Sequence, residues 1–268
     1  MDYLKVLREK GIDRSRDYPD EAFRIRGLWR TDLLFQPNPV ERTFRYVYLL
    51  VQTVGEGACY CATIPMLEEG YYLLGEDCRE VDFKYRCFEV AATDAMYSAF
   101  EKTPDETLTM TGSSAEKALW RSGVIVDEVV RLLELSGTEG GSVVNVGVIG
   151  NIVRMLAERG MEVMGTDEDP GLVGAELQGV PIYGEDRTVE MIERCDAAVM
   201  TGMVVSTETM EDIMNAARAT GTKLVMFCET GSNLCGEYVK LGVDAAVAEP
   251  FPFYIFGGTT RIDIYRRK

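Results

Sequence analysis

The chain has no histidine among its 268 residues. That absence removes Ser–His–Asp and Cys–His catalysis, an imidazole general base, and every zinc or iron site that needs an imidazole ligand. Any chemistry must run on carboxylates, thiols, tyrosine, lysine, the backbone or a bound cofactor. Any metal must be held by Cys, Asp, Glu or a chelating small molecule. Long apolar runs are missing too, and the first residues, MDYLKVLREKGIDRSRDYPDE, are charged throughout. They lack the apolar core of a signal peptide, so the expectation is a cytoplasmic protein with no membrane partner. Positive charge is scarce: 28 basic residues face 44 acidic ones, a formal charge of −16. An excess of that size repels phosphates, so nucleic acid is not an expected partner. It fits either a soluble acidic protein or an acidic surface that attracts cations. Seven cysteines, an odd number scattered along the chain, fit a reducing compartment better than a disulfide framework.

The most informative stretch that is present runs from Ser142 to Pro170, SVVNVGVIGNIVRMLAERGMEVMGTDEDP. Val143 to Ile149 reads as a strand buried on both faces. Gly147 and Gly150 punctuate its end, and Asn151 is placed to cap a helix carrying Ile152, Val153, Met155 and Leu156. Gly160 stops that helix, residues 161–165 form the next strand, and Asp167 and Asp169 follow. In a doubly wound sheet such a unit aims a helix N-terminus and a carboxylate at the crevice above the strand ends. The glycine pattern is Gly-x-x-Gly rather than the three-glycine dinucleotide fingerprint, which argues against a bound pyrophosphate.

Two halves have different grammar. In residues 1–110, FRYVYLLVQT (44–53) and ACYCATI (58–64) flank Gly55-Glu56-Gly57 as a hairpin. CFEVAATDAMYSAF (87–100) is an alanine-rich helix suited to lying flat on it, and the first forty residues read as a helix followed by an irregular arm. PDETLTMTGSS (104–114) reads as a linker. In residues 111–268 a long helix (115–135) leads into alternating elements: strands at 197–200, 223–228 and 245–248, and helices at 207–219 and 233–241. This alternation predicts α/β architecture, a Rossmann-like parallel sheet with a smaller N-terminal α+β domain.

Short motifs in this chain resemble those of the putative heavy-metal chelation family. They are VGVIGN (146–151), TDEDP (166–170), DAAVMTG (196–202), TETMEDIM (207–214) and ETGSNLCGEYVKLGVD (229–244), with CFEVAATDAMYSAF in the first half. The resemblance spans roughly residues 40 to 250. It implies a Rossmann-like domain preceded by an enolase N-terminal-like domain, with a small-molecule or metal-chelate site in the cleft between them. Two departures fall at that cleft. Asp94-Ala95 stands where the family usually carries Asn-Ala, and Thr230-Gly231-Ser232 where its turn reads like Gly-Pro-Ser.

The strand ends at Gly150-Asn151, Asp167, Thr201-Gly202 and Glu229 to Asn233 should converge on one sheet edge. There Thr230, Gly231, Ser232 and Asn233 can feed backbone amides to an anion, or serve only as a helix cap. Asp167 can accept from ribose hydroxyls, or be a solvated turn carboxylate. Asp94 and Glu229 are the candidate acid–base groups, and Asp94 with Cys228 the candidate metal ligands. Cys59 and Cys61 share one strand face but read as core packing, and Cys235 flanks the same loop as Cys228. Phe251 and Phe253 read as a rigid connection, with the arm a candidate for homodimer contacts. The expected function is binding of a small anionic ligand or metal-chelate complex for metal or cofactor handling. The alternative is a methyltransferase using S-adenosylmethionine or another nucleoside cofactor.

Overall fold

The computed structural model describes residues 2–35, 44–60, 64–138 and 140–268. The smaller half opens with α1 (Tyr3–Arg14), capped by the Asp2 carboxylate, which accepts from the Leu4 and Lys5 amides. Three antiparallel strands follow, β1 (Gly27–Phe35), β2 (Phe44–Gln52) and β3 (Glu56–Tyr60), in that spatial order. The arm expected to be irregular therefore contains a nine-residue strand, paired with β2 from Gly27↔Gln52 to Phe35↔Phe44. Its sequence, GLWRTDLLF, lacks a clean alternation and gains its order from the partner strand. Alternate residues of β2 and β3 separate by face. Leu49, Val51 and Cys59 pack toward α2 (Arg86–Ser98), while Tyr48, Leu50 and Ala58 face the other way. Cys61 lies outside the described residues.

The rest of the chain builds one sheet. In order come β4 (Glu106–Thr111), α3 (Ser114–Leu135), β5 (Ser142–Val146), α4 (Gly150–Glu158), β6 (Glu162–Asp167), β7 (Glu176–Leu177), β8 (Val180–Gly184) and α5 (Thr188–Arg194). Then follow β9 (Ala197–Thr201), α6 (Met203–Ser206), α7 (Met210–Thr220), β10 (Lys223–Cys228), α8 (Cys235–Leu241), β11 (Ala245–Ala248) and β12 (Thr259–Arg266). The spatial order is β4-β12-β11-β10-β9-β5-β6-β8-β7. Its parallel part, β8-β6-β5-β9-β10-β11, has the 3-2-1-4-5-6 order of the Rossmann fold. The segment read as a linker supplies β4, whose alternating threonines pair with β12 on the sheet edge. The strand β8 and helix α5 complete a third crossover that the sequence did not announce.

Alternation along the strands divides the interior. Val143, Val199, Val225 and Phe227 meet α3 and α4 on one face. On the other, Val144, Ala198, Leu224 and Met226 share a continuous core with α5, α7 and α8, and that core runs on into α1, α2, Leu49 and Val51. The two halves thus share apolar packing as well as chain. Among the described residues no helix is long and apolar enough to cross a membrane.

The tightest point of that packing is Gly57. A Cβ there would lie 2.1 Å from the Ala95 nitrogen and 2.2 Å from the Ala91 oxygen, backbone atoms of α2 that cannot yield. Gly57→Ala should cost about 3 kcal/mol or more in urea unfolding, because α2 must move off β3. A cost below about 1 kcal/mol would show that the helix and strand are not in this contact.

Candidate functional site

In this strand order the topological switch lies between β5 and β9, which places a crevice at the carboxyl ends of the parallel strands. Gly147 makes the turn out of β5 with φ +73°, its Cα facing the Thr201 side chain. The next two amides are already engaged. Val148 N–H donates to Asp167 Oδ2 (2.8 Å), and Ile149 N–H donates to Asn145 Oδ1 (2.9 Å). Asn145 is fully buried in β5 and its Nδ2 donates to Val199 O of β9 (3.2 Å), tying the loop to both strands at the switch. This residue was missed, although a polar residue inside the apolar run VVNVGV is a visible signal.

The helix α4 starts two residues earlier than the sequence suggests. Ile149 stands at the cap with no side-chain bond, so Asn151 lies in the first turn and does not cap. The amides of Gly150 and Asn151 have no hydrogen-bond partner among the described residues and point out of the helix start, where an anion is favoured. Asp167, the last residue of β6, gives its second oxygen to its own turn through Asp169 N–H (2.9 Å).

The turn after β10 has a different role. Gly202 approaches it so closely that a Cβ would lie 2.2 Å from Thr230 O. Thr230 Oγ1 accepts from Tyr60 N–H (2.8 Å), and Gly231 N–H, in a left-handed turn with φ +68°, donates to Ala58 O (3.2 Å). Asn233 N–H donates to Asp94 Oδ1 (2.7 Å) while Ala58 N–H donates to Asp94 Oδ2 (2.9 Å). Asn233 Nδ2 adds a bond to Glu56 O (2.9 Å), and Ser232 is buried beside it. Asp94, Thr230, Gly231 and Asn233 are therefore brought together, as a hydrogen-bonded joint between the halves. Burial pushes the fully enclosed Asp94 carboxyl up to about 7, against the two backbone amides and the Lys102 ammonium, which pull it down.

Beside the joint lies a charged cluster. Arg121 of α3 donates through Nη1 to Glu229 Oε1 (2.6 Å) and to Glu249 Oε2 (2.9 Å), and its guanidinium lies 3.7 Å from the centre of the Tyr254 ring. Tyr48 of the small sheet donates to Glu229 Oε2 (2.5 Å), and Tyr254 N–H and Thr260 Oγ1 donate to Glu249 Oε1. Side-chain exposure is 8% for Arg121, 14% for Glu229 and nil for Glu249. Two carboxylates share one cation. Burial, opposed by Arg121 and reinforced by the Glu249 charge, raises Glu229 above the usual carboxylate range. Burial also pushes the Tyr48 hydroxyl well up, helped by Glu229, so it stays protonated. Arg121, Glu249 and Tyr48 were not picked from the sequence. The position of Arg121 on the same helical stripe as Ile125 and Val129 was the available signal. Phe251 and Phe253 belong to an aromatic wall with Tyr48, Tyr46 and Tyr60.

Cys228 and Cys235 are both fully buried and adjacent, and burial followed by the Cys228 neighbour raises the Cys235 thiol well above its ordinary value. Cys59 is likewise in the core. Among the described residues no group of three or more Cys, Asp or Glu side chains is placed to hold a metal ion. Asp94 and Cys228 do not make such a group, because the Asp94 oxygens are taken by backbone amides. The donors among the described residues do not fit a bare heavy-metal ion.

Residues 131–244 match the model of the putative heavy-metal chelation family. The resemblance carried by the sequence motifs is thereby borne out, over the stretch from the end of α3 to the start of β11. Two solved structures of proteins of unknown function from that family superpose over nearly the whole chain. One, from Pyrococcus horikoshii, has a TM-score of 0.55 at 14% identity and covers 98% of this chain and 99% of its own. The other, from Desulfitobacterium hafniense, has a TM-score of 0.59 at 14% identity and covers 97% and 99%. At that identity the likeness speaks for the fold alone. No match was found among curated proteins.

The joint and the cluster can be tested separately. Asp94 holds its proton to about pH 7 when folded, against an ordinary 3.8. The native state then binds a proton that the unfolded chain releases, so its contribution to stability falls as pH rises from about 4 to about 7. In urea unfolding, the wild-type value minus that of Asp94→Asn should decline by up to about 1.4 kcal/mol per pH unit across that window. A flat difference would mean that Asp94 is not held this way. Arg121→Met should cost about 3–5 kcal/mol at neutral pH, since two buried carboxylates lose the cation that pairs with them among the described residues, and less at acid pH.

Proposed function

We propose that the protein binds a small anionic ligand in the form of a metal–chelate complex, in the crevice at the carboxyl edge of the sheet, and serves in metal or cofactor handling. The observation that carries this reading is the Glu229–Glu249–Arg121 cluster, which has one more carboxylate than cations and keeps part of Glu229 open to solvent. An excess of buried negative charge favours a cationic centre nearby. The open amides of Gly150 and Asn151 favour the opposite sign. Strands β5 and β10 are separated by β9 alone, so the two poles sit about 10 Å apart, at roughly 4.8 Å per strand. A ligand with anionic groups around a cation matches both poles. Because the donors among the described residues do not fit a bare ion, the chelator would bring the metal's ligands with it, and the metal is cargo. The half-buried Thr201 stands between the poles, Gly202 packs the end of β9 against the turn after β10, and Asp167 fixes the loop on the far side.

No specific observation favours the nucleoside-cofactor alternative, in which Asp167 holds a ribose. Both Asp167 oxygens already accept from the backbone, which a ribose would have to share.

Native mass spectrometry of freshly purified protein, with elemental analysis of the same sample, tests the proposal. The expected result is a stoichiometric metal-bearing small molecule whose occupancy falls at least about five-fold in Glu229→Gln. A nucleoside mass without metal, or full metal loading in the variant, would overturn it.

A further inference from the structure

Outside the crevice, a groove of about 580 Å³ runs along α8, between that helix and the 97–105 connection that leaves α2. It inverts the charge balance of the chain. Six basic side chains line it (Arg14, Lys102, Lys240, Arg266, Arg267 and Lys268), against three acidic ones (Glu101, Asp105 and Glu237). Elsewhere acids outnumber bases, so the concentration of cations is local, although Glu106, Glu128 and Asp244 behind the lining offset the charge of Arg266 and Arg267.

The pairing within the groove shows which cations are already committed. Arg266 is held by Glu128 and Glu106, Arg267 by Asp244, and Lys240 by Glu237. Arg14 has no carboxylate within ion-pair distance among the described residues. It donates to the Glu101 carbonyl and lies 4.5 Å from the centre of the Phe100 ring. The half-buried Lys102 donates to the neutral Asn233 Oδ1 at 2.6 Å. Burial lowers the Lys102 ammonium below its ordinary value, and the more distant Asp94 and Asp263 charges do not restore it. A half-buried ammonium without an ion-pair partner is an arrangement that a bound anion would relieve. The floor beside it is aromatic, formed by Tyr97, Phe100 and Tyr265. The volume lies within the range of small-molecule sites.

We propose that this groove is a second binding site, for a small polyanion carrying carboxylate or phosphate groups, held by Arg14 and Lys102, unpaired among the described residues, on one side and on the other by Lys240, whose solvent-exposed pair with Glu237 is weak enough to be exchanged. It stands independently of the crevice reading, since it shares none of the crevice cations or amides. Asn233 forms its inner wall and is also bonded to Asp94, so the occupant would touch the joint between the halves.

Isothermal titration at low ionic strength with citrate and, separately, inorganic pyrophosphate tests this. The wild-type protein should bind at least one of them, and binding should weaken as salt rises. Citrate binding alone assigns the site to carboxylates, and pyrophosphate binding alone to phosphates. The double variant Arg14→Glu with Lys240→Glu should weaken binding at least about ten-fold, with thermal unfolding checked to confirm the fold. Lys102→Met should weaken it too, and Lys102→Arg should restore it. Asn151→Asp, which places a carboxylate at the start of α4, should leave it unchanged. Absence of binding to both probes, binding that survives the double variant, or binding lost in Asn151→Asp instead would overturn the proposal.

Discussion

One buried carboxylate organises the meeting of the two halves. Asp94, on a helix of the small half, accepts one amide from the neighbouring strand at Ala58 and one from the turn after β10 at Asn233. Those bonds seat the Thr230–Asn233 turn on β3, and the turn in turn fixes where Glu229 stands at its start. Glu229 then meets Tyr48 from the small sheet and Arg121 from α3. The carboxyl edge of a Rossmann-like sheet would otherwise be open on this side. Here the small sheet packs against it through Tyr48, which bonds Glu229 and leaves that carboxylate partly open to solvent.

Packing and charge pull in different directions at this seam. The apolar core runs without interruption from α1 and α2 into α7 and α8, which favours a rigid assembly. Within it sit Asp94, Glu229, Glu249 and Arg121, groups whose burial is unfavourable unless each is bonded. Each of them is, largely through backbone amides and hydroxyls. The excess carboxylate in the Arg121 cluster is the exception to electrical balance, and it is the reason for reading the neighbouring crevice as a place for a ligand with a cationic centre. A metal carried on its own chelator reconciles the family match with a chain that has no histidine and no donor cluster among its described residues.

Much of the fold was legible because buried parallel strands write themselves as apolar runs. LVMF in β10 and AAVA in β11 are unambiguous, and the small residues of α2 announced its close contact with the hairpin. The third crossover was not legible, since VPIYG is short, carries Pro181 and follows a two-residue strand. The linker reading of 104–114 failed because an edge strand rich in threonine and a turn have similar composition. For the candidate site, topology alone puts the strand-end residues on one edge, whatever they do there. What they do depended on partners far away in sequence. Nothing near Asp94 announces that its oxygens belong to residues 58 and 233, and nothing near Glu229 announces Arg121. Only Asn145, a polar residue within an apolar strand, and Arg121, on the apolar stripe of its helix, carried flags of their own.

The claim on which this account rests is that one carboxylate ties both halves into a single unit, and amide hydrogen exchange at Ala58 and Asn233 tests it most directly. One amide lies in the small sheet and the other in the turn of the large half, and both donate to Asp94. The account predicts that both exchange only through global unfolding, with equal opening free energies that shift together in Asp94→Asn. Fast exchange of Asn233 while Ala58 stays protected would contradict it, because the turn would then open independently of the sheet it is said to hold.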